Sequence, residues 1–258
     1  MTVVLGIDAG GSHTEAVATD TDLTVLDRAR GGPGWAGDLH TAVLNIHAVA
    51  ERLAQHGKPA AAVIGAAGAG NPAVAAALAG ALRDLADTVR VTTDLEITLA
   101  AAFGREHGIV LIAGTGSAAI ARRPDGTVVR AGGMGPASGD EGSGYWLGNA
   151  ALAAGLLTGM GTDRARIAAL APRVGRLAAS GNAVARRLVD QAADALAGLV
   201  NSLSEGFPGD VPVAFTGGLL VHERIVRDAV VARLRSSCRF HDRKIDAAMG
   251  AARLALSR

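Results

Sequence analysis

VVLGIDAGGS, residues 3–12, is an apolar strand-like run that ends in an aspartate and breaks into a glycine turn. IVLIAGTGS at 109–117 repeats that plan, and VAFTGG at 213–218 gives a shorter version near the end. A fourth glycine-rich stretch, GMGPASGDEGSGYW at 133–146, sets two adjacent carboxylates, Asp140 and Glu141, where a helix is due to open. Apolar runs bounded by such turns read as buried strands. Working outward from the first, strands are expected at 3–8, 14–19 and 24–29, the last two joined by a hairpin at 20–23. A helix follows at 41–55, a strand at 61–64, a helix capped by Asn71-Pro72, a strand at 89–92 and a helix after Asp94.

The second half repeats the order. A strand at 109–113 enters the Gly-Thr-Gly-Ser turn, and 118–122 pairs with 127–130 across Pro124-Asp125-Gly126. Helices follow at 143–157 and 182–204, then a strand at 211–215, a helix at 220–235, a weak strand at 239–242 and a closing helix at 246–256. A Rossmann domain sends its first strand straight into a helix, whereas three meandering strands open each half here. The expectation is an α/β chain of duplicated βββαβαβ units, a lobe at 1–104 and a lobe at 105–258, with the last helix able to pack back across the boundary. Glycine turns at strand ends then point to a ligand in a cleft between the lobes.

Composition limits the rest. With 258 residues the chain can bury a substantial core, and with 49% apolar but only 3% aromatic residues that core is Ala, Val and Leu. A formal net charge of +1, with no basic run interleaved with aromatics, gives no nucleic-acid surface. No apolar run of about 20 residues suggests a membrane span. The amino terminus lacks a signal-peptide pattern, and Cys238 alone cannot form an internal disulfide. A soluble, cytoplasmic protein is expected, and an apolar helix stripe suggests a homodimer.

Glycines at Gly10, Gly11, Gly114 and Gly116 let backbone amides approach phosphate oxygens, with hydroxyls from Ser12, Thr14, Thr115 and Ser117. No GxxxxGK[ST] sequence is present, so a Walker cradle is excluded and charge must be met by backbone, hydroxyls and metal. Asp8 ends its strand and could hold Mg²⁺ through water, or be a satisfied turn residue. Asp94 ends another strand and could accept a proton from an attacking hydroxyl, or cap the helix that follows. Asp140 beside Gly139 and Gly142 could accept sugar hydroxyls, or join Glu141 on a metal. Gly217-Gly218 could lie against a purine or ribose. Trp35, in GGPGWAG, could stack a sugar face or pack on the surface. The seven histidines show no metal spacing.

GIDAGGSHTEAV, TTD at 92–94, IAGTGS, GDEGSGYWLG and FTGG resemble the actin-like (ribonuclease H-like) ATPase and sugar kinase superfamily. Within it they are similar to the BadF/BadG/BcrA/BcrD group that contains N-acetylglucosamine kinases. The resemblance implies ATP-dependent phosphorylation of an amino-sugar hydroxyl, with ATP and Mg²⁺ as cofactors and a small sugar as partner. It implies Asp94 as general base and Asp8 near Mg²⁺. It places Gly10–Ser12 and Gly114–Ser117 around the phosphates, Gly133 and Asp140 by the sugar, and Gly217 and Gly218 by the adenosine. Ala118 stands where the animal kinases have Asn after the second turn, and Met134 where the family has Trp. Relatives that use paired cysteines, a zinc motif or an N-terminal DNA-binding module do not match this chain. The alternative is a nucleotide-driven switch or sugar sensor of the same fold without kinase turnover.

Overall fold

In the computed structural model, which describes residues 1–135, 139–158 and 163–257, the first glycine turn follows strand β1 (Val4–Ala9). Alternate residues of β1 meet different layers, as side chains of a strand point to opposite faces. Leu5, Ile7 and Ala9 join one apolar cluster and Val4 another. Antiparallel partners β2 (Thr14–Thr19) and β3 (Val25–Gly31) lie on one side of β1. Parallel partners β4 (Ala61–Ala66) and β5 (Thr88–Thr93) lie on the other, giving the order β3-β2-β1-β4-β5. The expected hairpin between β2 and β3 is tied by Asp20, whose Oδ1 accepts the amides of Asp22 and Thr24.

Helix α1 (Leu39–Glu51) begins earlier than its apolar spacing predicts, because Asp38 caps it by accepting the Thr41 amide, and it ends earlier, at Glu51. The remainder of the predicted stretch turns as a short 3₁₀ segment, Ala54–His56. Asn71 caps α2 (Pro72–Ala81) as expected, and α3 (Asp94–Phe103) starts directly at the end of β5.

The second unit repeats the topology with β6 (Gly108–Ala113), β7 (Ser117–Arg122), β8 (Val128–Gly132), β9 (Val211–Thr216) and β10 (Cys238–Phe240), ordered β10-β9-β6-β7-β8. Its helices are α4 (Gly144–Ala153), α5 (Arg164–Ala168), α6 (Ala171–Ala179), α7 (Ala183–Ser204), α8 (Gly218–His222) and α9 (Arg224–Val231). The one helix expected at 220–235 is therefore two, broken at Glu223 (φ −101°, ψ 83°).

The chain divides into Met1–Arg105 with Ile245–Arg258, and Glu106–Lys244. The closing helix α10 (Ala247–Ala255), which the sequence reading put in the lobe at 105–258 but able to pack back across the boundary, belongs to the first unit. Small residues explain the seat. A Cβ on Gly6 would stand 2.2 Å from the Ala248 carbonyl oxygen, and one on Gly250 would stand 1.9 Å from the Ile97 carbonyl oxygen. Only glycine lets β1, α3 and α10 approach so closely. No helix among the described residues is long and apolar enough to cross a membrane.

Candidate active site

Parallel strands β1, β4 and β5 end together, with Asp8 in register with Gly65 and Gly65 with Thr92. In open α/β sheets that carboxyl edge is where ligands bind. Asp8 is one residue from the end of β1, and Asp94 follows β5 directly. Burial raises the Asp8 pKa to about 7, and the nearby carboxylates of Asp94, Glu15 and Asp246 add to that rise. Among the described residues no hydrogen-bond donor reaches the Asp8 carboxylate. Asp246 caps α10 and pairs with Arg28 at 2.6 Å, so the carboxyl-terminal segment supplies a fourth acid that sequence reasoning missed.

Burial also raises the pKa of Asp94, while the Leu95 amide, donating to Oδ1 at 3.0 Å, opposes the rise. The expected alternative, that Asp94 caps the helix, is not what forms. Thr93 is the cap, its Oγ1 accepting the Glu96 amide at 3.2 Å. Asp94 is the first residue inside α3, and its carboxylate is left for other work.

The turn after β1 is open. Gly10 donates to the His13 carbonyl at 3.0 Å, whereas the amides of Gly11 and Ser12 meet no acceptor among the described residues, and both residues are exposed. Gly34 donates to the Gly10 carbonyl at 2.8 Å, which docks the Trp35 loop onto this turn. Trp35 is 52% exposed, with its ring packed over Gly37 and Gly68. Thr14 differs from expectation: it is fully buried, and its unpartnered Oγ1 lies under Gly34. The first unit thus brings together Asp8, Gly10, Gly11, Ser12, Trp35 and Asp94, with Thr14 beneath them.

In the second unit, Gly114 donates to the Gly116 carbonyl at 2.9 Å and accepts from Gly144 at 2.8 Å, which ties the turn to the start of α4. Ser143 caps α4 through the Trp146 amide. Ser117 donates its hydroxyl to the Glu141 carbonyl at 2.9 Å and its amide to Asp140 Oδ1 at 3.2 Å. Asp140 is only 5% exposed, and its other oxygen pairs with Arg164. The carboxylate expected to face sugar hydroxyls is therefore engaged by the turn and by an arginine that sequence reasoning did not single out. Glu141 contributes its carbonyl rather than its exposed side chain.

Gly217 has φ +90°, and a Cβ there would stand 2.4 Å from the Ala113 carbonyl oxygen. Gly218 follows it as the first residue of α8, beside Gly114. Gly133 (φ +71°) lies against Ala118, and a Cβ on Gly133 would stand 3.0 Å from the Ala118 methyl. Met134 is 73% exposed, and residues 136–138 of the same stretch lie outside the described residues.

Among the described residues no group of three or more His, Cys, Asp or Glu could cage a metal ion. Magnesium does not need such a cage, since it is held by one or two carboxylates with water and phosphate oxygens. Asp8, half-buried near other acids with no donor of its own, fits that mode of binding.

The chain is 33% identical over 167 residues to an N-acetylmuramic acid/N-acetylglucosamine kinase of Clostridium acetobutylicum, a match covering 60% of this chain and 54% of that relative. A solved structure of a candidate N-acetylglucosamine kinase from Chromobacterium violaceum superposes with a TM-score of 0.82 at 26% identity, covering 100% of this chain and 99% of the other. A ROK family glucokinase from Streptomyces griseus, solved with glucose and AMPPNP, shares the fold at a TM-score of 0.65 and 16% identity, with 98% of each chain covered. Both five-stranded mixed sheets match the actin-like, two-unit α/β architecture that the glycine turns implied. The model of the BadF/BadG/BcrA/BcrD ATPase family matches residues 5–255, and the chain belongs to that family.

Proposed function

We propose that this protein is an ATP-dependent carbohydrate kinase that phosphorylates a hydroxyl of an amino sugar in the cytoplasm, with Asp94 as general base. The observation that carries this reading is the carboxylate of Asp94, released from helix capping by Thr93 and standing at the strand edge that also bears Asp8 and the open Gly10–Ser12 turn. A pure binder needs no such base. Its similarity to kinases of N-acetylated sugars supports the choice of acceptor.

In the proposed reaction the acceptor oxygen forms a bond to the γ-phosphorus, the bond from that phosphorus to the β–γ bridging oxygen breaks, and ADP leaves. The acceptor proton passes to the Asp94 carboxylate. A raised pKa makes Asp94 a stronger base once it is ionised. Free amides at Gly11, Ser12, Thr115 and Gly116 bind phosphate oxygens. Gly217 and Gly218 lie against the adenosine, while Trp35 and Gly133 orient the sugar. Asp8 would hold Mg²⁺ through water, and the bound ion would neutralise phosphate charge and relieve the repulsion among the acids. Most of the rate gain then comes from positioning and charge stabilisation.

A coupled ADP-release assay with N-acetylglucosamine, N-acetylmuramic acid, glucosamine, glucose and no sugar tests the reading. Release that requires one of the amino sugars and disappears in Asp94→Asn supports it. Hydrolysis that is equal with and without every sugar would overturn it in favour of a nucleotide-driven switch.

A further inference from the structure

Arg164, the first residue of α5, reaches back to the Gly114–Ser117 turn. Its Nη2 pairs with Asp140, whose other oxygen accepts the Ser117 amide. A Cβ on Gly116 would stand 3.0 Å from Arg164 Nη2 and 2.8 Å from Asp140 Oδ1, so the guanidinium lies against the backbone of the turn. Tyr145 flanks it, with its ring centroid 5.7 Å from the guanidinium carbon. Arg164 Nε is buried and has no partner among the described residues. The Thr115 and Gly116 amides likewise meet no acceptor there.

We infer that Arg164 is a phosphate-binding residue of the nucleotide site and that Asp140 is its positioning residue. This inference deepens the proposed function, because it rests on the second turn receiving nucleotide phosphates. Two idle amides beside a rigid guanidinium form an anion site, since arginine offers five donors in a planar fork suited to phosphate. Asp140 uses one of those donors and fixes the plane of the group, with Tyr145 alongside it. The remaining donors are open to ligand, as the side chain is 41% exposed. Charge supply points the same way. The chain has only two lysines, Lys58 and Lys244, and neither lies in the Gly10–Ser12 or Gly114–Ser117 turn, so a side-chain cation at the second turn comes from arginine.

Calorimetric titration of the full chain with AMPPNP, ADP, AMP and adenosine, each with Mg²⁺, tests the inference. Arg164→Ala should weaken AMPPNP by about 10- to 100-fold and leave adenosine within about twofold, because adenosine carries no phosphate. Arg164→Lys keeps the charge but not the fork and should recover only part of the loss. Asp140→Asn should fall between Arg164→Ala and the native protein. Unchanged AMPPNP affinity in Arg164→Ala and Arg164→Lys overturns the inference, as does an equal loss for adenosine, which would mark a purely structural pair. Should Arg164→Ala not fold, the lysine variant decides alone by the same comparison. The two readings separate cleanly. Arg164-dependent AMPPNP binding in a protein that phosphorylates no sugar keeps this inference and removes the kinase, and sugar phosphorylation with Arg164-independent affinity does the reverse.

Discussion

Thr93 caps the helix that Asp94 begins: its hydroxyl accepts the Glu96 amide at 3.2 Å, and the neighbouring carboxylate is spared. The two roles that one acid could have combined are thereby split between adjacent residues, and they can be separated by mutation. Asp94→Asn should lower sugar-dependent turnover by about 10²- to 10⁴-fold, the usual contribution of a general base, with AMPPNP affinity and thermal midpoint nearly unchanged. Thr93→Ala should cost about 1 kcal/mol of stability by urea denaturation. If Asp94→Asn keeps full turnover, Asp94 is not the base.

Asp8 couples the site to pH. Its pKa is about 7 in the folded chain against 3.8 ordinarily, so between those values the folded state holds a proton that the unfolded state has released. Stability therefore falls as pH rises through that window and is lowest above it. Asp8→Asn removes the buried charge and should stabilise the chain at pH 8 in EDTA by at most roughly 4 kcal/mol, with little gain at pH 4. Adding Mg²⁺ at pH 8 should raise the melting temperature of the native chain and not of the variant. An identical Asp8→Asn effect at both pH values would show that the acid is not strained.

Gly250 tests the seat of the last helix. Alanine ordinarily favours a helix interior over glycine by about 1 kcal/mol. Here a Cβ would strike the Ile97 carbonyl and the Ala101 amide, which are backbone atoms of α3 that cannot step aside. Gly250→Ala should instead destabilise the protein by about 1–3 kcal/mol in urea denaturation. Because α3 carries Asp94 at its start, turnover should fall as well. Stabilisation by this substitution would mean that α10 is not packed on α3.

What could be read in advance was local. Asn71-Pro72 and Pro124-Asp125-Gly126 marked a cap and a hairpin because each acts within a few residues, as the Asp125 bond to the Thr127 amide shows. The repeated strand-and-turn plan was enough to establish the architecture. What could not be read was tertiary. Arg164 meets Asp140 across 24 positions with no spacing rule, and Asp246 reaches the Asp8 neighbourhood only because Gly6 and Gly250 admit α10 to the first unit. The break at Glu223 carries no glycine or proline to announce it. Thr14 looked like a phosphate hydroxyl by its place after the turn, but the Gly34 loop covers it.

Gly116 sets the opposite case to Gly250. A Cβ there would meet Asp140 Oδ1 at 2.8 Å and Arg164 Nη2 at 3.0 Å, and both are ends of side chains that can move. Gly116 also lacks the positive φ that would strain an alanine. Gly116→Ala should therefore leave the urea midpoint nearly unchanged while it pushes the ion pair off the turn. Since the pair presents a cation to the phosphates, AMPPNP affinity should fall by about 10-fold or more, with adenosine binding preserved. Combining Gly116→Ala with Arg164→Ala should add little to either single loss, because residues acting through one contact are not additive. Fully additive losses would mean that Gly116 does not act by making room for Arg164.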